Sequence, residues 1–357
     1  MSEPQEDVPA PTTEIAGITT NTSDVVLVEE YVELLVDEPQ PPPGPGFGMS
    51  LVWMLMLLLG QTLGTIVVAV PIFIVCTLIE YPLNDFDQLN VLLVPVGTAS
   101  VIVVALVIVV AHYCWRTRPL LAWRGLGLGQ SLLVVLTVAP LWLVANELST
   151  WISKVLPSWF GELLVDFGKF PLWLVLIGGC LFPALGEEIF FRGFVGRGLV
   201  ARHGVWRGML LTSFLFGLMH IDPAQAAGVI PLGWAFQYVY LTSKSLTAPI
   251  LLHALNNATS FVTIRYVAPM GEIDHLPPAL VAAAALALAA ILSLQYQSRS
   301  RWVLADGSDW SPGYVTAEEP PAQLGATLVA RRPGAWSIVA AAGCYSILIG
   351  AIALASV

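Results

Sequence analysis

Two stretches of the chain, Ser50 to Ile79 and Leu89 to His112, run without a single Asp, Glu, Lys or Arg. About 20 consecutive apolar residues in a helix cross the hydrocarbon of a bilayer, so runs of this length dictate where the segments can go. A soluble core would still need charge to face water. Only 11% of the 357 residues are charged and 56% are hydrophobic, at a mean hydropathy of +0.77, whereas globular domains carry roughly a quarter charged residues. Apolar runs lie near 49–79, 89–113, 131–153, 171–197, 206–220, 225–243, 246–267, 278–297 and 335–356. The chain is therefore read as all-α, a polytopic bundle of about nine transmembrane helices. The sixth run is interrupted by Gly228, Pro231 and Gly233; a broken helix at membrane depth is tolerated where protein or a cavity covers it, as beside a site.

The net charge of −10 is a property of one end. Residues 1–46 hold ten acidic and no basic residues, which leaves 15 acidic against 15 basic elsewhere. With its Pro-Gln-Pro-Pro-Pro-Gly-Pro-Gly ending, this segment reads as a disordered, self-repelling tail on a stiff hinge. Within it, 24–38 alternates apolar and acidic residues and is expected to order only transiently. No secretory leader is expected, because no basic residue precedes the first apolar run. Cys76, Cys114, Cys180 and Cys344 lie in or beside apolar runs without CxxC spacing and read as packing residues. Accessory helices are expected over 47–119 and 271–357, the latter with a polar loop at 298–334. Arginines cluster after the second, fourth and eighth runs and Lys244 follows the sixth, whereas the alternate loops hold few basic residues. By the positive-inside rule the tail and the arginine-rich loops are cytoplasmic, in a multi-pass protein of the cell membrane.

Ionisable groups at membrane depth are costly, and each is a functional hypothesis. Glu187 and Glu188 stand side by side in the fourth run, with Arg192 following. Glu188 and Arg192 are four apart and share a helix face, so they can pair; Glu187 points about 100° away. Desolvation makes an unpaired carboxylate a stronger base, while an arginine keeps its neighbour ionised. The fifth run ends with Phe216 and His220 on one face, and the seventh carries His253 and Asn257 four apart, with Asn256 turned aside. Taken singly, each set also reads as interhelical glue. Together they supply a general base, two imidazoles and an amide, an inventory that suits attack of water on an amide bond.

The ordered set EExxxR at 187–192, FxxxH at 216–220 and HxxxN at 253–257 resembles the CPBP intramembrane proteases, the CAAX-processing and bacteriocin-processing family that includes the CAAX prenyl endopeptidase. The likeness covers about residues 120–270, with Arg192-Gly193 and the Gly-rich stretch Trp123 to Gly129 also similar. The resemblance implies a helical membrane fold with a conical cavity. It further implies that Glu187 activates water with His220, that His253 and Asn257 form the oxyanion site, and that Glu188 and Arg192 support the architecture. The resemblance leaves both metal-free water activation and a divalent metal such as zinc open, with Glu187, His220 and His253 as the ligands if a metal is used. Expected partners are a peptide or protein substrate and the lipid bilayer, with no nucleic acid and an open oligomeric state. No HExxH, paired membrane aspartates with GxGD, or GxSG nucleophile accompanies the set. Two other readings stay open: a non-catalytic membrane scaffold of the same fold, and a solute or proton transporter using the same Glu and His as a relay, although no internal repeat favours the latter.

Overall fold

The computed structural model describes residues 14–15, 18–19, 43–79, 86–112, 121–159, 165, 167, 170–266, 275–311, 316 and 318–355. Within the acidic tail, β1 (Glu14–Ile15) pairs antiparallel with β2 (Ile18–Thr19). The expected transient element at 24–38 and Cys114 lie outside the described residues.

From Pro42 onward the chain forms one unit built of helices. These are α1 (Phe47–Leu78), α2 (Phe86–His112), α3 (Leu128–Ser153), α4 (Leu172–His203), α5 (Val205–Leu218), α6 (Pro223–Gly228), α7 (Ile230–Ser243), α8 (Thr247–Tyr266), α9 (Pro278–Gln297) and α10 (Ala335–Ala355). Among the described residues, α1, α3, α4, α9 and α10 are long and apolar enough to cross a membrane; Gly97–His112 and α5 are shorter apolar helices. Large apolar side chains such as Leu63, Val67, Val103, Val339 and Ile349 are exposed, a surface that only hydrocarbon covers without cost. This is a membrane protein of the all-α class. Between lipid-facing helices small residues allow close approach. Gly60 and Gly64 of α1 meet α2, where a Cβ on Gly60 would come within 2.7 Å of Val104 and one on Gly64 within 3.0 Å of Ser100. At that crossing Ser100 Oγ donates to the Gln61 carbonyl at 3.2 Å.

The remaining packing places α4 at the centre. It lies against α2, α5 and α8, while α3 joins α8 to α9 and α10. Phe190, Phe191, Phe194, Phe216, Phe236 and Leu252 are fully buried between these helices. The fourth run was expected to end at 197; α4 instead continues to His203 and stops where Gly204 takes φ +78°. Two π-turns, Val175–Leu181 and Phe191–Val195, loosen its hydrogen-bond ladder on either side of the two glutamates, a device common at functional sites. The interrupted sixth run divides at Val229 into α6 and α7.

The polar loop expected at 298–334 is corrected by the structure: part of it is a hairpin. β3 (Ser300–Val303) pairs antiparallel with β4 (Thr327–Ala330), Ser300 opposite Ala330. Residues of the connection fasten onto the helical core, at the end of α4 and in the loops beside α3 and α7. Glu318 pairs with Arg197, Glu319 with Arg124 at 2.9 Å, and Lys244 Nζ donates to the Thr316 carbonyl at 2.6 Å. Trp302 Nε1 donates to the Glu318 carbonyl at 2.8 Å, and the Arg124 guanidinium lies 5.1 Å above the Trp302 ring. Arg124 in turn donates to the Lys244 carbonyl, and its own carbonyl accepts from Ser245 and Thr247. The Gly-rich stretch is thereby tied to the turn between α7 and α8.

Burial, and then the nearby Arg124, push the Lys244 amine down to about 8 from its usual 10.5, against the pull of Glu318. Between those two values the unfolded chain binds a proton that the folded chain has released, so stability rises with pH there and is lost as pH falls through 8. Lys244→Met removes the dependence. Thermal unfolding in detergent should show the native chain gaining up to about 3 kcal/mol on the variant between pH 8 and 10.5; parallel curves would contradict it.

Candidate active site

The sequence EExxxR puts Glu188 and Arg192 one turn apart on α4, and both side chains are fully enclosed. Arg192 NH1 donates to Glu188 Oε1 at 2.8 Å, and NH2 donates to the Gly233 carbonyl at 2.8 Å. The guanidinium lies over the rings of Phe216 (4.6 Å) and Phe236 (5.2 Å). A buried cation survives only when paired and hydrogen-bonded; Arg192 meets this at NH1 and NH2 with partners on α4 and α7 and ring faces on α5 and α7, while its Nε has no hydrogen-bond partner among the described residues. The break in α7 thus has a use: its first turns supply a carbonyl and an aromatic face to the arginine.

Glu188 Oε1 has a second partner. His253, on α8 and 5% exposed, sits with Nδ1 2.8 Å from it. A carboxylate only accepts, so Nδ1 carries the hydrogen. The imidazole stacks on Phe236 at 4.8 Å and 21°, and meets Phe216 edge-on at 5.9 Å. Held on three sides, the ring aims Nε2 towards Glu187, whose Oε2 lies 3.9 Å away. Glu187 occupies the neighbouring face of α4, with a side chain 17% exposed against 0% for Glu188. Among the described residues its Oε2 has no hydrogen-bond partner, as is true of the second oxygen of Glu188, so the difference between the two lies in the partners of Glu188 Oε1 and in exposure. The two adjacent carboxylates thus differ as the helix geometry requires: one is locked into the core and the other faces an imidazole across a gap too long for a direct hydrogen bond.

His220 departs from the expected geometry. α5 ends at Leu218, and His220 lies in the turn beyond it, not on the helix itself. It still reaches back one turn, with Nδ1 3.0 Å from the Phe216 carbonyl and its ring 5.1 Å from that of Phe216. A carbonyl cannot donate, so Nδ1 again carries the hydrogen and Nε2 is presented outward. Phe216 therefore contacts both histidines and the arginine. Asn257 is half-buried one turn beyond His253. Asn256, expected to turn aside, is more deeply placed at 4% exposure, its Oδ1 buried without a partner.

Phe236 carries no sequence motif, and Gly233, marked only as a break in the sixth run, gives no sign in the sequence that its carbonyl holds Arg192. Glu187, His220 and His253 are the set expected to hold a metal if one is used. Among the described residues no three His, Cys, Asp or Glu side chains gather as a metal-holding group.

Losing Arg192 leaves Glu188 charged in the core. Arg192→Met should cost about 3–5 kcal/mol, and adding Glu188→Gln should restore about 1–3 of it. A thermal-unfolding double-mutant cycle in detergent reads the coupling; additive losses would contradict the pairing.

Residues 169–259 match the family model of the Type II CAAX prenyl endopeptidases, Rce1-like, a narrower span than the motifs alone implied. The chain is also similar to YdiL, a proposed membrane peptidase of Bacillus subtilis (strain 168), at 27% identity over 97 residues. That match spans 27% of this chain and 38% of the length of YdiL. No solved structure matches. The matched span runs from the start of α4 through the His253 turn of α8 and holds every residue of the geometry above, so the likeness to the Type II CAAX prenyl endopeptidases rests on the segment that carries the site.

Proposed function

We propose that the chain is an intramembrane endopeptidase that hydrolyses peptide bonds in membrane-associated or C-terminal substrate segments by Glu187-activated water. The observation that carries the reading is the 3.9 Å gap between Glu187 Oε2 and an imidazole nitrogen fixed from behind by Glu188. A water in contact with Glu187 and with His220 Nε2 gives one proton to Glu187 as its oxygen adds to the scissile carbonyl carbon. The carbonyl π electrons move onto oxygen. Asn257, through its amide, and His253, after its Nε2 has taken up a proton from solvent beside the hydrogen kept on Nδ1, donate to that oxyanion; His253 returns that proton to solvent when the product leaves. Return of the electrons breaks the C–N bond, and the proton held by Glu187 passes to the departing nitrogen. Glu188 and Arg192 touch no reacting atom; they hold His253.

The positive-inside rule supports a cytoplasmic side for the arginine-rich ends of α2 and α4, so substrates would enter from that side or from the bilayer. The route needs no metal.

General-base catalysis contributes about 10²–10⁴-fold, and Glu187→Gln should remove that much turnover while leaving the unfolding midpoint nearly unchanged. Purified chain in detergent, given a library of lipidated and plain C-terminal peptides and read by mass spectrometry, makes the comparison. Equal cleavage by both proteins would overturn the role of Glu187; cleavage by neither would favour the non-catalytic scaffold.

A further inference from the structure

The turn that carries His220 is held in a conformation its own residues disfavour. Ile221 takes φ +64°, and the Asp222 N–H bonds to the His220 carbonyl at 2.6 Å, closing a three-residue turn around it. A turn of that sense is rare and strained, and a β-branched residue at positive φ is a true outlier. Packing of Ile221 does not compensate, since the side chain is 69% exposed. The compensation is polar and lies one residue on. Asp222 is 1% exposed. Its Oδ1 accepts from the Gln225 N–H at 2.8 Å; its Oδ2 accepts from the Trp159 N–H at 2.7 Å and from Ser158 Oγ at 3.2 Å. Close by, the Ala224 N–H donates to the Pro157 carbonyl at 3.3 Å. One carboxylate therefore joins the start of α6 to the segment after α3, with the His220 turn between.

We propose that Asp222 is a positioning residue for His220, fixing the turn so that its imidazole keeps Nδ1 on the Phe216 carbonyl and Nε2 towards the water. The proposal rests on the peptidase reading for its effect on turnover, but not for its effect on the imidazole. Strain at such a turn persists only where surroundings over-determine it, and a displacement of about 1 Å in a catalytic group costs about 100-fold. Both oxygens of Asp222 accept from backbone N–H groups, which separates two substitutions. Asp222→Asn keeps one acceptor and turns a donor towards one of those amides; Asp222→Ala removes both acceptors.

The test compares the full-length chain with both variants in detergent, below their unfolding midpoints, using the peptide found to be cleaved by the native protein. Expected is a graded fall in kcat, about 10-fold for Asp222→Asn and about 100-fold for Asp222→Ala, with KM within about twofold. The ¹⁵N resonances of His220 should shift in the same order as Nδ1 loses its carbonyl. A purely structural Asp222 would lower the unfolding midpoint yet leave kcat and the His220 resonances of the folded fraction unchanged, which overturns the proposal. If no peptide is cleaved, the peptidase reading fails, and the His220 resonances alone decide: a shift in Asp222→Ala supports the positioning role, and an unchanged signal ends it.

Discussion

A guanidinium enclosed in the middle of an apolar helical bundle constrains everything around it. Taking Arg192 and Glu188 out of water costs several kcal/mol for each ion, recovered only by near-ideal geometry and by hydrogen bonds to what remains. The recovery comes from outside α4: a carbonyl of Gly233 on α7, the ring faces of Phe216 on α5 and Phe236 on α7, and the Nδ1–H of His253 on α8. Four helices are thus fixed in register by one ion pair. The same pair orients His253, so the demand for electrostatic satisfaction and the placement of a reactive ring are met by one contact.

Glu187 shows why two adjacent carboxylates are useful. On a helix, neighbours diverge by about 100°, so the residue beside a fully locked glutamate is turned to a different environment by geometry alone. Here that environment is His253 Nε2 at 3.9 Å. The surrounding scaffold has a simpler task. α1, α2, α9 and α10 present apolar side chains outward and small residues where they cross, as Gly60 and Gly64 do against α2. At one end the connection between β3 and β4, far along the sequence from the matched segment, binds Arg124 ahead of α3, Arg197 in the last turns of α4 and Lys244 just after α7.

Much of this was legible from residue order. Apolar runs marked the helices to within a few residues, because length and absence of charge are all the bilayer requires. The pairing of Glu188 with Arg192 followed from their spacing of four, and the likeness to the CAAX-processing proteases from three motifs in sequence. What stayed hidden depends on tertiary contact. The spacing of Phe216 and His220 holds as a contact, but the helix stops between them and a strained turn carries the histidine. Asn256 and Asn257 compete for one buried face, and helical angle alone could not say which neighbour covers it. Glu318 and Glu319 fell within the expected polar loop at 298–334, and nothing local to a Pro-rich stretch reveals cations brought from residues 124 and 197. Phe236 and Gly233 act through a ring face and a carbonyl, neither of which has a distinguishing letter.

The central claim is that Glu188, locked to Arg192, holds His253 with its hydrogen on Nδ1 and its other nitrogen towards Glu187. Solid-state ¹⁵N spectroscopy of histidine-labelled protein in lipid bilayers, with His253 assigned by substitution, reads this directly. The expected result is a His253 ring protonated at Nδ1, with that signal displaced in Glu188→Gln and untouched by Glu187→Gln. A ring carrying its hydrogen on Nε2 alone, or one indifferent to the loss of Glu188, would contradict the account.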